Sequence, residues 1–264
     1  MSTLPGKKLA VVTGASAGIG RVLALRLATE GRPVLAVARR ADRLVDLMTE
    51  AEARGGAAIH MLPLDVGAPG SAEKVAARAL ELGGASLLVN NAGFGVYGRF
   101  EELPLERLAD MVRTNCDGLV LFTRALLPDL MSTGAGMVLN VASAGGFQPM
   151  PFMAAYGATK AFVISLTEAL AAEKPAGVRF AVLCPGPVET EFGLVAGTGG
   201  RFNKMPGVLT AEAAAQAALD LIHGERVISI PGPLNLLAVL GGRLLPRAVV
   251  RAAAARLLRP RPPS

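Results

Sequence analysis

A regular alternation of short apolar runs and longer helical stretches over residues 1–230 places the strongest constraint on the fold. Each run is rich in Val, Leu, Ile or Ala and is too short for a helix, which is typical of a buried strand. Repeated strand–helix units of this kind build a parallel sheet with helices on both faces. The predicted strands are residues 8–12, 34–38, 57–62, 86–90, 136–142, 178–183 and 227–230.

Helical periodicity with glycine or proline stop signals predicts helices between these strands, for example over residues 19–29, 42–54 and 155–173. We therefore expect an α/β fold: a single-domain, doubly wound Rossmann fold with about seven parallel strands. The 264 residues, 52% of them hydrophobic, supply enough apolar material for one large core.

The net charge of +6 comes from the C-terminal end of the chain. Seven arginines and no acidic residue follow Glu225, whereas residues 1–225 carry 20 basic and 21 acidic side chains. Aromatic residues make up only 4% of the chain and Trp is absent, so the stacking surfaces of single-strand nucleic-acid binders are hard to build. Nucleic acid is therefore not an expected partner.

Cysteine and histidine usage predicts neither a metal site nor a disulfide framework. Cys116 and Cys184 form no CxxC pair, and the chain has only two histidines. Both cysteines are expected to be buried thiols in a reducing compartment. The first apolar stretch, residues 9–12, is too short for the core of a signal peptide, so we expect a cytoplasmic protein.

A glycine-rich turn follows the first predicted strand and opens the first predicted helix. Its glycines let the backbone approach a pyrophosphate, whose charge is met by the free N–H groups of the helix N-terminus. Two alternatives stay open: a tight turn without a ligand, and a nucleophile elbow, because the turn also fits G-x-S-x-G. The elbow is disfavoured because the turn follows the very first strand, which leaves no room for an upstream oxyanion loop. The expected dinucleotide contacts are Gly14, Ser16, Ala17, Gly18, Ile19 and Gly20.

Two arginines at the end of the second predicted strand indicate which dinucleotide fits. A carboxylate at this point would bind the ribose hydroxyls of NAD, whereas an arginine pairs with the 2′-phosphate of NADP. We therefore predict NADP(H), with Arg39 as the main phosphate contact and Arg40 assisting. The alternative is that both arginines are merely solvated. Asp42 is expected to cap the next helix rather than to bind ribose.

Tyr156 and Lys160 lie four residues apart in the helix predicted over 155–173, on one face of that helix. A cation next to a phenol favours phenolate, so we expect the Tyr156 pKa to fall from about 10 toward the working pH. Ser143, just past a predicted strand, is placed to hydrogen-bond the same reacting oxygen. This arrangement suits proton transfer, although an ordinary solvated helix face often produces the Tyr–Lys spacing.

In their order along the chain, these motifs resemble the short-chain dehydrogenase/reductase family over about residues 7–192. The resemblance rests on TGASAGIG at residues 13–20, Asp65, NNAG at residues 90–93, Asn115, Ser143, Tyr156, Lys160 and Pro185-Gly186.

The resemblance implies roles that spacing alone does not assign. Tyr156 would be the general acid in reduction and the base in oxidation, and Ser143 would orient the carbonyl. Lys160 would bind the nicotinamide ribose as well as tune Tyr156, and Asn115 would hold a water in a proton relay. The implied cofactor contacts are Asp65 and Val66 at the adenine, Asn91, Ala92 and Gly93 beside the cofactor, and Pro185, Gly186, Val188 and Thr190 at the nicotinamide amide.

Three segments would surround the reacting carbonyl: residues 94–97, 145–153 and 191–205. Their apolar, Met-rich composition favours a hydrophobic ketone or aldehyde over an acetone-sized one. The expected substrate contacts are Ser143, Phe94, Phe147, Gln148, Met153 and Phe192, with Met150, Phe152, Leu194, Phe202, Met205 and the polar Glu191 in the same segments.

The end of the chain departs from the family pattern. Residues 1–230 are expected to form the dinucleotide-binding catalytic domain, and residues 231–264 an apolar, Arg-rich extension that packs on it or projects from it. Within the extension, residues 234–245 are strongly apolar and a helix is predicted over 246–259. The extension is expected to cap the substrate pocket, to form a dimer surface or to lie on an anionic membrane. Helical periodicity places Arg247, Arg251 and Arg259 on one arc, and Leu245, Val249, Val250 and Leu257 on another.

The expected function is that of an NADPH-dependent oxidoreductase that reversibly reduces a hydrophobic ketone or aldehyde to an alcohol. The alternative is a protein that binds NADP(H) as a sensor or scaffold without turnover, which the presence of Ser143, Tyr156 and Lys160 disfavours. Ala17 stands where NADP-preferring relatives often carry a basic residue. Arg39 and Arg40 would therefore bind the 2′-phosphate without help from a basic residue at that position. The resemblance also implies a homodimer or tetramer.

Overall fold

A computed structural model describes residues 8–260; residues 1–7 and 261–264, the outer ends of the two predicted units, lie outside the described residues. The strands are β1 Leu9–Thr13, β2 Val34–Ala38, β3 Ile59–Pro63, β4 Ala85–Asn90, β5 Met137–Val141, β6 Arg179–Leu183, β7 Val188–Glu189, β8 Leu209–Thr210 and β9 Ile228–Ser229. The α-helices are α1 Gly18–Thr29, α2 Ala41–Ala53, α3 Ser71–Glu81, α4 Leu105–Val112, α5 Leu119–Ser132, α6 Ala154–Glu173, α7 Phe192–Ala196, α8 Ala211–His223, α9 Pro233–Leu244 and α10 Arg247–Leu258. Short 3-10 turns lie at Phe100–Glu102, Ala144–Phe147, Pro175–Gly177 and Arg201–Lys204, and a π-helical turn, Arg113–Gly118, joins α4 to α5.

Seven strands form one parallel sheet in the order β3-β2-β1-β4-β5-β6-β9. This order confirms the predicted doubly wound α/β fold, since the chain builds outward from β1 on one side and then returns to build from β4 on the other. Sheets of this kind bind ligands at the carboxyl ends of the strands, where the order reverses between β1 and β4. A separate parallel pair, β7 and β8, lies outside the main sheet.

Alternate residues of each buried strand contribute to two apolar layers. In β1, Ala10 and Val12 pack on the side of α1, α2 and α8, whereas Leu9 and Val11 pack on the side of α3 and α5. Because both faces of the sheet are covered, its strands are continuous apolar runs rather than alternating ones. This pattern explains why the strand predictions agree with the structure to within two residues.

Two local predictions are wrong. Helix α2 begins at Ala41 with Arg40 at its N-cap, so Asp42 lies inside the first turn and does not cap the helix. The carboxylate is still favourable there, because negative charge stabilises the N-terminal end of a helix. Cys184 is buried as expected, but Cys116, which lies in the π-helical turn, is only partly buried.

Helices α9 and α10, which we call the tail helices, pack against the part of the chain that carries the sheet, residues 8–230. We call this part the sheet domain. The buried residues of α10 are Val250, Ala254 and Leu258. Of the predicted apolar arc, Val250 is buried, whereas Leu245, Val249 and Leu257 are exposed. None of the described helices is long and apolar enough to cross a membrane.

The end of α10 is held by side chains from the sheet domain. The Tyr97 hydroxyl donates to the Leu258 carbonyl at 2.7 Å, and the Arg201 guanidinium donates to the Leu257 carbonyl at 2.6 Å and the Arg259 carbonyl at 2.5 Å. Arg201 also donates to the Tyr97 hydroxyl at 3.1 Å. We call these two side chains the tail latch.

Candidate active site

A crevice of about 730 Å³ opens at the carboxyl ends of the central strands. Most of the sequence-predicted site residues line it, and three do not: Gly20, Asn115 and Phe147. The predicted residues that line it are Gly14, Ser16, Ala17, Gly18, Ile19, Arg39, Arg40, Asp65, Val66, Asn91, Ala92, Gly93, Phe94, Ser143, Gln148, Met153, Tyr156, Lys160, Pro185, Gly186, Val188, Thr190 and Phe192.

The turn between β1 and α1 forms a cradle that only glycine permits at two positions. Gly14 and Gly18 have φ angles of +67° and +54°, which side-chain-bearing residues rarely adopt. A Cβ at Gly14 would lie 2.8 Å from Asn91 Nδ2, and one at Gly18 would lie 3.0 Å from Thr190 Cγ2. No described side chain caps α1, and its first turn carries no acid. The N-terminal amides and the positive end of the helix dipole therefore fit a pyrophosphate.

Gly20 serves packing rather than contact with a ligand, which corrects the sequence prediction. A Cβ at Gly20 would overlap the Asn91 side chain. The Asn91 amide donates to the Thr13 carbonyl at 2.9 Å and to the Gly14 carbonyl at 3.3 Å, which fixes the turn. The small residue therefore lets α1 approach the loop after β4.

Arg39 and Arg40 both reach the crevice but differ in how they are held. Arg40 forms an ion pair with Glu191 at 2.8 Å and contacts the Ser16 hydroxyl at 3.2 Å. Arg39 is 71% exposed and lies 3.7 Å from the Asp65 carboxylate. Glu191 was expected among the polar groups near the carbonyl, but its carboxylate faces Arg40 and Arg43 at the dinucleotide side of the crevice.

Ser143 lies just after β5 and caps the following 3-10 turn. Its hydroxyl accepts the Gly145 N–H at 3.1 Å and donates to the Pro185 carbonyl at 3.4 Å. The hydroxyl is thus oriented by two backbone groups before any ligand is considered, and it lines the same crevice as Tyr156.

Tyr156 and Lys160 are only 7% and 5% exposed. The Lys160 ammonium donates to the Val141 carbonyl at 2.9 Å and lies 5.9 Å from the centre of the Tyr156 ring. Burial raises the pKa of Tyr156 to about 12, and the nearby Ser143 hydroxyl offsets only part of this rise. Burial also lowers the pKa of Lys160 to about 8. The predicted fall in the Tyr156 pKa is therefore wrong for the protein alone, because desolvation outweighs the distant cation.

Asn115 lies in the π-helical turn and does not line the crevice. Its side chain accepts the Phe94 N–H at 3.1 Å and donates to the Phe94 carbonyl and the Thr159 hydroxyl, both at 3.0 Å. Asn115 therefore links the loop after β4 to helix α6 near Tyr156. Its implied role in holding a water stays a prediction. Extra residues in a helical turn often occur at functional sites, but the sequence gives no signal for one here.

The substrate side of the crevice is apolar. Phe192 packs on Tyr156 with ring centres 5.3 Å apart, and Met153 belongs to the same apolar cluster. One expected contact, Phe147, does not line the crevice and packs in a separate cluster with residues of β5 and β6. Phe152 and Leu194, which lie in the surrounding segments, do not line it either. Aromatic and aliphatic side chains in loops pack equally well in either place, so the sequence did not separate them. Leu194 is exposed.

The tail helices supply a wall of the crevice that sequence reasoning did not assign to particular residues. Asn235 could have indicated which side of α9 is buried, since it is the one polar residue between Leu234 and Leu240. Its amide nitrogen donates to the carbonyls of Gly207 and Pro231, both at 3.0 Å. The tail residues that line the crevice are Leu234, Asn235, Ala238, Val239, Ala254, Leu257 and Leu258.

A doubly wound sheet with this crevice at its switch point is typical of dinucleotide-binding proteins. Comparison with known families narrows this class. The family model described as short chain dehydrogenase matches residues 8–196, and the chain belongs to that family.

Relatives of the chain extend the match over its whole length. The chain is 34% identical over 253 residues to an uncharacterized oxidoreductase from Myxococcus xanthus, covering 95% of this chain and 97% of that protein. It is similar to a short-chain dehydrogenase from Sphingobium yanoikuyae in complex with NADPH, with a TM-score of 0.81, 30% identity and 97% of each chain covered. It is also similar to a short chain dehydrogenase/reductase from Burkholderia phymatum in complex with NAD, with a TM-score of 0.84, 25% identity and 100% and 99% of the chains covered. A dehydrogenase or reductase role follows from the family, and these two relatives bind different nicotinamide cofactors.

Proposed function

We propose that this protein uses NADPH to reduce a hydrophobic ketone or aldehyde, in a reversible reaction. The observation that carries the proposal is the position of the Tyr156 phenol. It is buried in the crevice beside Ser143 and Lys160 on one side and the apolar ring of Phe192 on the other. This position combines a proton source with an apolar surface for the substrate.

Tyr156 suits the role of proton donor in reduction. With a pKa near 12, the phenol keeps its proton at neutral pH and can deliver it from Oη to a carbonyl oxygen that gains negative charge. Ser143 Oγ is positioned by the Gly145 N–H, and its single proton would turn from the long bond to the Pro185 carbonyl toward the same oxygen. The Lys160 ammonium would stabilise the phenolate that forms, because opposite charge favours the ionised state.

The cofactor would supply the hydride, and this chain would supply its binding surface. Its pyrophosphate fits the cradle of Gly14 and Gly18 at the start of α1. Its adenine end would lie near Asp65 and Val66. Its nicotinamide end would be held along residues 185–190, which line the crevice beside Ser143.

The preference for NADPH is supported by the two arginines at the end of β2. Arg40 is oriented by Ser16 and Glu191, so its guanidinium is fixed beside the glycine cradle. Arg39 is more exposed, and its one carboxylate contact, to Asp65, is long at 3.7 Å, so its guanidinium is available to a phosphate. A 2′-phosphate placed between the two arginines would accept charge-assisted hydrogen bonds from their guanidinium groups. The uncharged ribose hydroxyl of NAD(H) at the same position would not form such bonds.

The substrate class is supported by the wall opposite the cradle. Met153, Phe192, Phe202 and Met205 line the crevice from the sheet domain, and the tail helices add further apolar side chains. Burial of such surface favours a large apolar carbonyl compound by about 25 cal/mol for each Å² removed from water. A small, water-soluble carbonyl would leave much of this lining uncovered.

The test is NADPH consumption with a panel of carbonyl compounds of increasing apolar size, repeated with Tyr156→Phe. Removing the proton donor is expected to lower kcat by about 10²- to 10⁴-fold. The Kd of NADPH, measured by fluorescence titration, should stay within threefold of wild type. Tyr97→Phe is the matched control for kcat, because it removes the hydroxyl of the other tyrosine of the chain. That hydroxyl belongs to the tail latch, so the control should retain kcat within a few-fold and change only the KM of a large carbonyl compound.

Two outcomes would count against the proposal. Turnover that survives Tyr156→Phe would remove the phenol from the reaction. NADPH binding without turnover of any carbonyl in the panel would favour a sensor or scaffold instead.

A further inference from the structure

The tail helices present leucines to the outside, on the side of α9 that faces away from the crevice. Leu237, Leu240 and Leu244 are 64%, 46% and 87% exposed. Their spacing of three and four residues puts them on one helix face, opposite the buried Asn235 and Val239. We call these three leucines the outer tail face. Apolar side chains so regularly exposed on one face mark a contact surface rather than a random surface feature.

Helix α10, which follows α9 in the chain, carries exposed positive charge. Arg247, Arg251 and Arg256 are exposed, and the salt bridges among the described residues include none of them. Residues 226–264 contain no acidic residue at all. The arginines are therefore available to an external anion.

We propose that the outer tail face and the arginines of α10 dock onto an anionic lipid bilayer. The leucines would enter the interface between headgroups and acyl chains, and the arginines would contact the headgroup phosphates. Charge decides between a bilayer and a second copy of this chain. A symmetric pairing through the tail would place arginines against arginines with no carboxylate between them, which is unfavourable.

The location of the surface gives the docking a consequence for the reaction. Helix α9, which exposes the leucines outward, lines the crevice inward with Val239, and α10 adds Ala254 and Leu258 to the same lining. A docked protein would therefore hold the tail side of its crevice against the lipid, where apolar carbonyl compounds partition. The docking itself does not depend on the proposed function, whereas this consequence rests on it.

The first test is co-sedimentation of the full-length protein with vesicles of phosphatidylcholine alone and of phosphatidylcholine with about one third phosphatidylglycerol. We expect at least tenfold tighter binding to the anionic vesicles, and weaker binding as salt rises, because salt screens charge–charge attraction. The triple variant Leu237→Ser, Leu240→Ser, Leu244→Ser is expected to lose at least tenfold in vesicle affinity. The double variant Arg251→Gln, Arg256→Gln is expected to lose the preference for anionic lipid.

Matched controls separate docking from a general effect of surface polarity. Leu80→Ser with Leu105→Ser removes two equally exposed leucines from the sheet domain, and Lys74→Gln with Arg124→Gln removes two of its exposed cations. Both control variants should bind vesicles as wild type does. Wild-type protein that stays in the supernatant with either vesicle would overturn the proposal, as would unchanged binding by the leucine variant. A dimer that depends on Leu237, Leu240 and Leu244, seen by sedimentation velocity in the absence of vesicle binding, would assign the surface to a second copy.

A second measurement links docking to catalysis. Turnover of an apolar carbonyl compound supplied in anionic vesicles should fall several-fold in the leucine variant, while turnover of the same compound in detergent-free dilute solution should not change. Normal vesicle binding with no turnover in either format would contradict the proposed function alone and leave the docking in place.

Discussion

The two walls of the crevice are built by different means. The sheet wall is built at strand ends from the glycine cradle after β1, the loop after β4 and the residues after β5 and β6, with Tyr156 and Lys160 of α6 beside them. The tail wall consists of side chains from α9 and α10, held to the sheet domain by the tail latch and by Asn235. The first wall is set by local conformation and the second by contacts between residues far apart in the chain. We therefore expect cofactor binding to depend on the first wall and substrate selection on the second.

Lys160 gives the largest expected effect, because it is the buried charge of the sheet wall. Its pKa is lowered by burial from 10.5 to about 8, so the unfolded chain binds the proton more strongly between these pH values. Stability should therefore rise with pH across this window as the folded protein loses the cost of burying an ammonium. Lys160→Met removes that cost. The stability advantage of the variant over wild type should shrink by about 2 to 3 kcal/mol between about pH 7 and pH 10.

The measurement is urea unfolding of both proteins at several pH values up to 10. The upper limit keeps Tyr156 out of the comparison, since burial raises its pKa to about 12 and its own contribution to stability falls only above the pKa of an exposed tyrosine. A stability difference that stays constant with pH would mean that Lys160 is not a buried cation in solution.

Alanine substitutions at Gly14 and Gly241 test one glycine in each wall. Gly14 has a φ of +67° and a Cβ there would lie 2.9 Å from the Ala92 Cα, whereas a Cβ at Gly241 in α9 would meet nothing within 4 Å. Gly14→Ala should cost about 2 kcal/mol of stability and raise the Kd of the dinucleotide at least tenfold. Gly241→Ala should stabilise the protein by up to about 1 kcal/mol, because alanine favours a helix interior.

Thermal unfolding and fluorescence titration of the cofactor test this pair. Equal losses in the two variants would show that the cradle and the tail helix are not distinguished by backbone conformation.

The sequence predicts the sheet wall far better than the tail wall, and the reason is physical. Gly14, Gly18 and Tyr156 follow from patterns in which a few neighbouring residues dictate the local backbone. In α10 the apolar residues surround the helix, so periodicity grouped Val249 with Val250, although the structure buries Val250 and Ala254 and leaves Val249 exposed. The side of α10 that is buried depends on contacts with residues distant in the sequence, such as Tyr97 and Arg201. The sequence of α10 alone does not contain that information.

The burial of the Tyr156 and Lys160 side chains and the π-helical turn could not be predicted from the sequence either. The Tyr–Lys spacing shows that a cation is near a phenol, but it does not show that both groups are buried, and burial decides the direction of the Tyr156 pKa. The π-helical turn around Asn115 departs from regular helix over only six residues. Phe147 fits either the crevice or the cluster behind the sheet by composition, and only the packing places it in the latter.

Arg39 and Arg40 test whether the sheet wall selects the cofactor. The double variant Arg39→Ser, Arg40→Ser should raise the KM for NADPH about 10- to 30-fold, since hydrogen bonds to charged groups contribute about 1.5–3 kcal/mol. The KM for NADH should change less than threefold, because NADH has no 2′-phosphate for the two arginines to bind. Arg26→Ser with Arg54→Ser, remote from the crevice on α1 and after α2, is the control and should leave both values unchanged. A wild-type enzyme that uses NADH and NADPH with equal efficiency would contradict the predicted preference.

The tail latch gives the smallest expected effect and tests the other half of the comparison. Arg201→Met removes the hydrogen bonds to the Leu257 and Arg259 carbonyls but keeps an apolar side chain of similar length. Because Arg201 is solvent-exposed at these contacts, we expect only a loosening of α10 and not its detachment. The KM for a large apolar carbonyl compound should rise about two- to fivefold, a change of about 1 kcal/mol or less. The Kd of NADPH and the KM for a small carbonyl compound should stay constant, as they should in the control Arg78→Met. If the Kd of NADPH rose in step with the KM of the large substrate, the two walls would act as one unit, and the division between cofactor wall and substrate wall would be wrong.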